Sequence, residues 1–338
     1  MNTSDTHKIK KLLSTAKNIV ITTHKNPDGD AIGSSLALCH YLNSIGHSAT
    51  VITPNDYPDF LKWMPGETSI VKYDSSTETA NAMINNADLI FTLDFNHLSR
   101  SGDLETILEK SKSTFIMIDH HQQPDSYAKY MYSDTSMSST CQMVYHFIEK
   151  LNDLDKITSQ IATCIYVGIM TDTGSFRFRS TTSTTHKVIA ELIDHGADNT
   201  QIHENIYDTN TLSRIQLQGI ALNNLKVLPE YKTAYITISQ KELDQSQFKK
   251  GDTEGFVNIG LSIEGIKFAL IFIENKGEGI IKISLRSKGD FSVNDFSRNH
   301  FEGGGHHNAA GGRSYLSLND TVEKFISILP SYKNVLNP

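Results

Sequence analysis

An α/β fold built on a parallel sheet, followed by a smaller α/β domain, is what this 338-residue sequence predicts. Three observations carry that expectation. Short apolar runs rich in β-branched residues alternate with helical patterns through the first half, the order expected of parallel strands with right-handed crossovers. Several of those segments break off at an acidic or imidazole residue. From Leu225 onward the pattern changes to alternating strands with helical pieces between them, which reads as a second domain.

The elements follow in chain order. Residues 5–16 read as an amphipathic helix with Ile9, Leu12 and Leu13 turned inward. Asn18-Ile-Val-Ile-Thr is a short buried strand, and Ile32, Leu36, Cys39, Leu42 and Ile45 then recur at helical spacing until Gly46. A second strand lies near His47–Thr53, and a turn-rich stretch follows from Pro54 to Gly66. A helix near Glu78–Asn85 precedes Asp88-Leu-Ile-Phe-Thr-Leu, a continuous apolar run typical of a strand covered on both faces. The same pairing recurs with a helix near Leu104–Glu109 and the strand Thr114-Phe-Ile-Met-Ile. Two helices, roughly Ser138–Leu151 and Ile157–Met170, come next, and Gly174 stands where the second should stop. The expected division is residues 1–186 for the first domain, 187–222 for a helical connection and 223–338 for the second domain. The latter contains strands at Thr233–Ser239, Lys267–Glu274 and Ile280–Arg286 and a helix at Thr321–Leu329.

Composition narrows the function classes. Charged residues make up 20% of the chain and the formal charge is −7, which disfavours tracking along a long polyanion. The imbalance is local: residues 226–338 hold 14 Lys/Arg against 13 Asp/Glu, leaving 17 against 25 for residues 1–225. No apolar run is long enough to span a bilayer and the N-terminus lacks a signal-peptide core, so a cytoplasmic protein without a membrane partner is expected. Cys39, Cys141 and Cys164 sit in apolar helical patterns, an odd count without close spacing, and read as buried structural thiols.

The chemistry concentrates at the ends of the apolar runs. His24, Asp28 and Asp30 fall on the loop between the first strand and its helix, Asp94 and Asp119-His120-His121 each end a strand, and Asp172 ends a helix. Open parallel sheets bind their ligands outside the carboxyl ends of the strands, so these four ends can meet on one edge. A lone Asp at such a position more often caps a helix than binds a cation. Four ends in register, able to supply the four carboxylates and two imidazoles that suit two metals, make a site for hard divalent cations.

Those residues also carry a resemblance. His24-x-Asn-Pro-Asp28-x-Asp30, Asp94, Asp119-His120-His121 and Gly168-Ile-Met-Thr-Asp172-Thr-Gly are similar, in order, to the four motifs of DHH-family phosphoesterases. Phe301-Glu-Gly-Gly-Gly-His306-His307-Asn-Ala-Ala-Gly-Gly resembles the glycine-rich motif of the DHH-associated C-terminal domain. The domain order resembles that of small oligoribonucleases that also dephosphorylate 3′-phosphoadenosine 5′-phosphate (pAp), with the active site in a cleft between the domains.

The resemblance implies two divalent ions, Mn²⁺ first with Mg²⁺ or Co²⁺ as substitutes. His24, Asp28 and Asp94 would hold one; Asp30, Asp94, His120 and Asp172 would hold the other, with Asp94 bridging. It implies that a water activated between the ions attacks phosphorus in line, with no Ser or Cys nucleophile. His121 would face the phosphate as proton donor or electrostatic stabiliser, with Asp119 orienting the histidine pair. The N–H groups of Gly303, Gly304 and Gly305 would cradle an anion just before a helix start, His306 and His307 would hydrogen-bond phosphate or leaving group, and Arg286 would grip a phosphate through its guanidinium. Arg298 and Asn26 are weaker candidates of the same kind. The implied substrates are oligoribonucleotides of two to five residues and pAp, released as mononucleotides, by an enzyme that works as a homodimer. The alternative is a phosphodiesterase for cyclic dinucleotides or their linear products.

Overall fold

The computed structural model describes residues 1–337, which form two compact units dividing between Thr209 and Asn210. The first unit runs α1 (Thr3–Leu12), β1 (Asn18–Thr23), α2 (Gly29–Ser44), β2 (Ser48–Thr53), β3 (Val71–Lys72), α3 (Thr77–Asn85), β4 (Leu89–Leu93), α4 (Glu105–Lys110), β5 (Thr114–Asp119), β6 (Tyr130–Ser133), α5 (Thr140–Lys150), α6 (Ser159–Asp172), α7 (Ser183–Asp194) and α8 (Asn199–Tyr207). Its six strands are all parallel, in the order β3-β2-β1-β4-β5-β6. Strand alternation serves two cores. Ile19 and Ile21 of β1, with Phe91 and Leu93 of β4, pack with α2, α5 and α6 on one face. Val20, Ile90, Phe115 and Met117 pack with α3 and α4 on the other. This two-sided burial is why the strands are apolar without a polar alternation.

The strand order fixes where a ligand can sit. From β1 the chain builds outward to β2 and β3, then returns to lay β4 on the opposite side of β1. The adjacent pair β1 and β4 is therefore the switch point, and the loops after both strands splay apart above the sheet edge. His24 follows β1 directly and Asp94 follows β4 directly.

The helices over this edge approach closely. A β-carbon on Gly168 of α6 would lie 2.8 Å from the Asp30 carboxylate and would strike the Cys141 sulfur. One on Gly33 of α2 would lie 2.6 Å from the Cys164 carbonyl oxygen. Small residues here let α2 and α6 meet backbone to backbone. All three cysteines are buried and unpaired, and burial pushes the Cys39 thiol up to about 11, in keeping with structural thiols.

The second unit comprises α9 (Leu212–Asn223), β7 (Lys226–Leu228), β8 (Thr233–Ile238), α10 (Gln240–Gln245), α11 (Phe256–Ser262), β9 (Phe268–Asn275), β10 (Ile280–Ser287), α12 (Val293–His300), β11 (Gly304–Gly305), β12 (Ala309–Ser314), α13 (Leu318–Ile328) and α14 (Lys333–Leu336). Its sheet, β11-β12-β10-β9-β8-β7, is mixed: β8 and β9 are parallel and the other neighbours antiparallel. Phe268, Leu270 and Phe272 pack under α12 and α13, and Ala269 and Ile271 under α9 and α11. The stretch 187–222, expected as a helical connection, contributes most of α7 and all of α8 to the first unit and most of α9 to the second.

One expectation needs correction here. No helix begins after the glycine run: Gly304 and Gly305 form the edge strand β11, and His306–Ala309 is a hairpin turn into β12. A β-carbon on Gly303 would collide with the Gly311 carbonyl oxygen and the Ser297 hydroxyl. These glycines serve strand packing, and no helix N-terminus supplies an anion cradle.

Candidate metal centre

Six of the candidate ligands gather above β1, β4 and β5, each placed by the element that ends or begins beside it. Asp28 caps α2, its Oδ1 accepting the amides of Asp30 and Ala31 at 3.1 Å each. That cap turns the chain sharply, so that Asp30 on the first turn points inward, only 1% exposed. Asp94, 2% exposed, adopts a left-handed backbone with φ 65°. A non-glycine residue holds such a conformation only where its surroundings enforce it, and the Asp94 amide donates to the Ile118 carbonyl of β5. Asp172 is the last residue of α6, with its side chain 23% exposed.

The imidazoles are oriented by the backbone. His24 Nδ1 lies 2.9 Å from the Lys25 carbonyl oxygen and His120 Nδ1 lies 3.2 Å from that of Met137. A carbonyl can only accept, so Nδ1 carries a proton in both rings and Nε2 faces the carboxylates. His24 Nε2 is 3.4 Å from Asp94 Oδ2. His120 Nε2 is 3.5 Å from Asp94 Oδ1, 3.6 Å from Asp172 Oδ2 and 3.8 Å from Asp30 Oδ2. His24, Asp28 and Asp94 each bring one donor atom within 4.8 Å of the others, and so do Asp30, His120 and Asp172. Asp94 presents one oxygen to each set.

Electrostatics agree with a cation site. Burial opposes ionisation of Asp30, and the charges of Asp94 and Asp172 add to it, so its carboxyl is held well above the usual range. Burial acts on Asp94 in the same sense. Hydrogen bonds from His120 and His24 outweigh it and hold this carboxyl well below the usual range. Burial disfavours a charged His120 or His24, yet their carboxylate neighbours, Asp94 foremost, raise both imidazoles. Both shifts favour positive charge at the place where a cation would sit. Fixed Nε2 donors, hard carboxylate oxygens and a buried excess of negative charge together fit Mn²⁺ or Mg²⁺.

His121 sits differently. Its Nδ1 is 2.7 Å from Asp119 Oδ1, its amide donates to Asp119 Oδ2 at 3.1 Å, and Asp119 is fully buried. Asp119 thus clamps the residue from two sides. Burial keeps the His121 imidazole below its ordinary range in spite of that partner, so the resting ring is neutral.

The N-terminal turn of α5 is a part of the site that sequence reasoning missed. Asp30 Oδ2 accepts the Thr140 amide at 2.6 Å and Oδ1 the Cys141 amide at 2.8 Å, while the Thr140 hydroxyl donates to Asp94 Oδ1 at 3.0 Å. The Ser138-Ser139-Thr140 run was a visible capping signal, and Ser139 does cap α5. Nothing in the sequence said that its amides would face a carboxylate 110 residues earlier. Asn26 is paired reciprocally with Asn55: the Asn26 amide donates to Asn55 Oδ1 at 2.8 Å, and the Asn55 side chain donates back at 3.1 Å.

In the second unit, Arg286 lies on β10 opposite Ala309 of β12. Asn294 of α12 accepts from the Gly305 amide at 2.9 Å and from Arg298 Nε at 3.2 Å, tying the glycine strand to Arg298. The His307 carbonyl accepts from the Val293 amide, which ties the hairpin turn to the start of α12.

Comparison with known proteins places the chain among relatives. Residues 18–169 match the DHH family, N-terminal domain, and residues 230–332 match the DHHA1 domain. The bifunctional oligoribonuclease and PAP phosphatase of Thermus thermophilus is 31% identical across 91% of this chain and 88% of its own length. The crystal structure of an exopolyphosphatase-related protein from Bacteroides fragilis is 40% identical and superposes with a TM-score of 0.95, covering 100% of this chain and 98% of that one. RecJ from Thermus thermophilus, crystallised in complex with Mn²⁺, shares the fold at 12% identity and a TM-score of 0.54, across 98% of this chain and 54% of RecJ.

Proposed function

We propose that this chain, which belongs to the DHH family, is a two-metal phosphohydrolase that degrades short oligoribonucleotides to mononucleotides and removes the 3′-phosphate of pAp. The observation that carries this reading is the donor arrangement around Asp94, one oxygen toward His24 and the other toward His120. His24, Asp28 and Asp94 would hold one ion, and Asp30, Asp94, His120 and Asp172 the other. When bound, two such ions supply an acidified water and neutralise charge on the phosphoryl oxygens.

The chain's own residues do the rest. Lys25 and Met137 carbonyls fix the two ligand imidazoles, so little reorganisation is needed on binding. Asp119 keeps the His121 Nδ1 proton in place, which leaves Nε2 as the atom directed at substrate. His121, its imidazole held below the ordinary range by burial, would face the phosphate through Nε2 as electrostatic stabiliser or proton donor to the leaving oxygen. Arg286, Arg298, His306 and His307, with the Gly304–Gly305 strand, serve as the phosphate-gripping set of the second unit. We assign the protein to the cytoplasm, where its RNA-derived substrates arise, and expect a homodimer. Among the described residues no helix is long and apolar enough to cross a membrane.

A substrate panel with Mn²⁺ tests the assignment: a dinucleotide, pAp, a cyclic dinucleotide, inorganic polyphosphate and a long single strand. Fastest turnover of the dinucleotide and of pAp is expected. Preference for the cyclic dinucleotide or for polyphosphate would replace the substrate assignment and leave the metal centre standing.

A further inference from the structure

We infer that Thr140, at the first turn of α5, is the positioning residue that sets the two buried carboxylates Asp30 and Asp94 in register with each other; this rests on the metal-centre reading above. Asp30 comes from α2 and Asp94 from the loop after β4, and no strand ladder fixes one side chain against the other. Thr140 touches both: its amide donates to Asp30 Oδ2 at 2.6 Å and its hydroxyl to Asp94 Oδ1 at 3.0 Å. The residue is fully buried, so water cannot replace either bond. Ser139 caps the helix through its own side chain, accepting the Gln142 amide, so the Thr140 hydroxyl is not needed to cap α5.

A carboxylate has lone pairs to spare, and a donor on one oxygen leaves capacity for a cation while restricting the rotation of the group. The Asp94 oxygen that accepts from Thr140 is the one facing His120. The hydroxyl therefore selects the rotation in which Oδ1 serves the Asp30–His120–Asp172 set and Oδ2 is left to His24. The amide of Thr140 cannot be lost by side-chain substitution, so the two contacts are separable by experiment.

The test uses the full chain and Mn²⁺ alone, followed by electron paramagnetic resonance of bound against free ion and by isothermal titration. Thr140→Val keeps the shape and the amide and deletes the hydroxyl; Thr140→Ser keeps the hydroxyl. The valine variant should bind Mn²⁺ about 10- to 100-fold more weakly, with an altered resonance spectrum of the bound ion. The serine variant should stay close to wild type. Wild-type affinity and spectrum in Thr140→Val, or an equal loss in Thr140→Ser, would overturn the role, because space filling and not the hydroxyl would then be at work. If the valine variant does not fold, Thr140→Ala carries the same comparison with Thr140→Ser. Failure of the wild-type chain to bind Mn²⁺ would bring down the metal centre itself, an outcome distinct from the other two.

Discussion

Asp94 is the residue on which the site's symmetry depends. It is buried, strained at φ 65° and shared by two imidazoles from different strands. Replacing it with Asn should lower turnover of pAp more than about 100-fold at saturating Mn²⁺ while the circular dichroism spectrum stays that of the wild type. Near-normal turnover would show that no shared carboxylate is required. Protonation makes a second prediction at this scale. Folding raises His120 above its usual 6.5, and Asp30 above its usual 3.8. For a group raised by folding, the stability gained is complete below the unfolded value and fades as pH climbs through the folded one. The His120 contribution to the stability of the metal-free protein should accordingly fade from about pH 6.5 upward, while His121, lowered by folding, contributes in the opposite sense. Mn²⁺, which needs the neutral ring, should bind more tightly over the same range and release protons. Titrations in two buffers of different ionisation enthalpy would show an apparent enthalpy that tracks the buffer; identical enthalpies would contradict it.

At the scale of elements, the close approach of α2, α5 and α6 is what holds Asp30 inward. Gly168→Ala would drive a methyl into the Cys141 sulfur and within 2.8 Å of the Asp30 carboxylate. We expect a cost of about 1–3 kcal/mol, read as a Tm lowered by about 2–4 °C per kcal/mol for a unit of this size. Mn²⁺ affinity should fall in parallel. An unchanged Tm would mean that the helices separate freely there. Much at this scale was legible in the sequence, because β1, β4, β5, α2 and α6 announce themselves by unbroken apolar runs or strong helical spacing. Strands β3 and β12 did not. The first has only two residues and the second is Ala-Ala-Gly-Gly-Arg-Ser, whose pairing depends on tertiary contact and not on local preference. The glycine run was misread for the same reason: glycine before a turn looks alike whether a helix or a strand follows. The α5 turn was legible as a cap and opaque as a partner of Asp30, since sequence shows what a helix end offers and not what meets it.

For the whole molecule, two units with separate cores imply two separable responses to metal. Every proposed ligand belongs to the unit that ends at Thr209. Mn²⁺ at about 100 times its Kd should stabilise that unit by about 2.7 kcal/mol for each ion bound, and the stabilisation should vanish with chelator. Hydrogen exchange should slow in β1, α2, β4 and α6 and remain unchanged in β9 and β10. Equal slowing in both units would place the ions elsewhere.

A Mn²⁺-soaked crystal measured at the manganese absorption edge tests the shared-carboxylate centre most directly. Two anomalous peaks are predicted, one among His24, Asp28 and Asp94 and the other among Asp30, His120 and Asp172, with Asp94 touching both. A single peak, or two peaks without Asp94 between them, would contradict it.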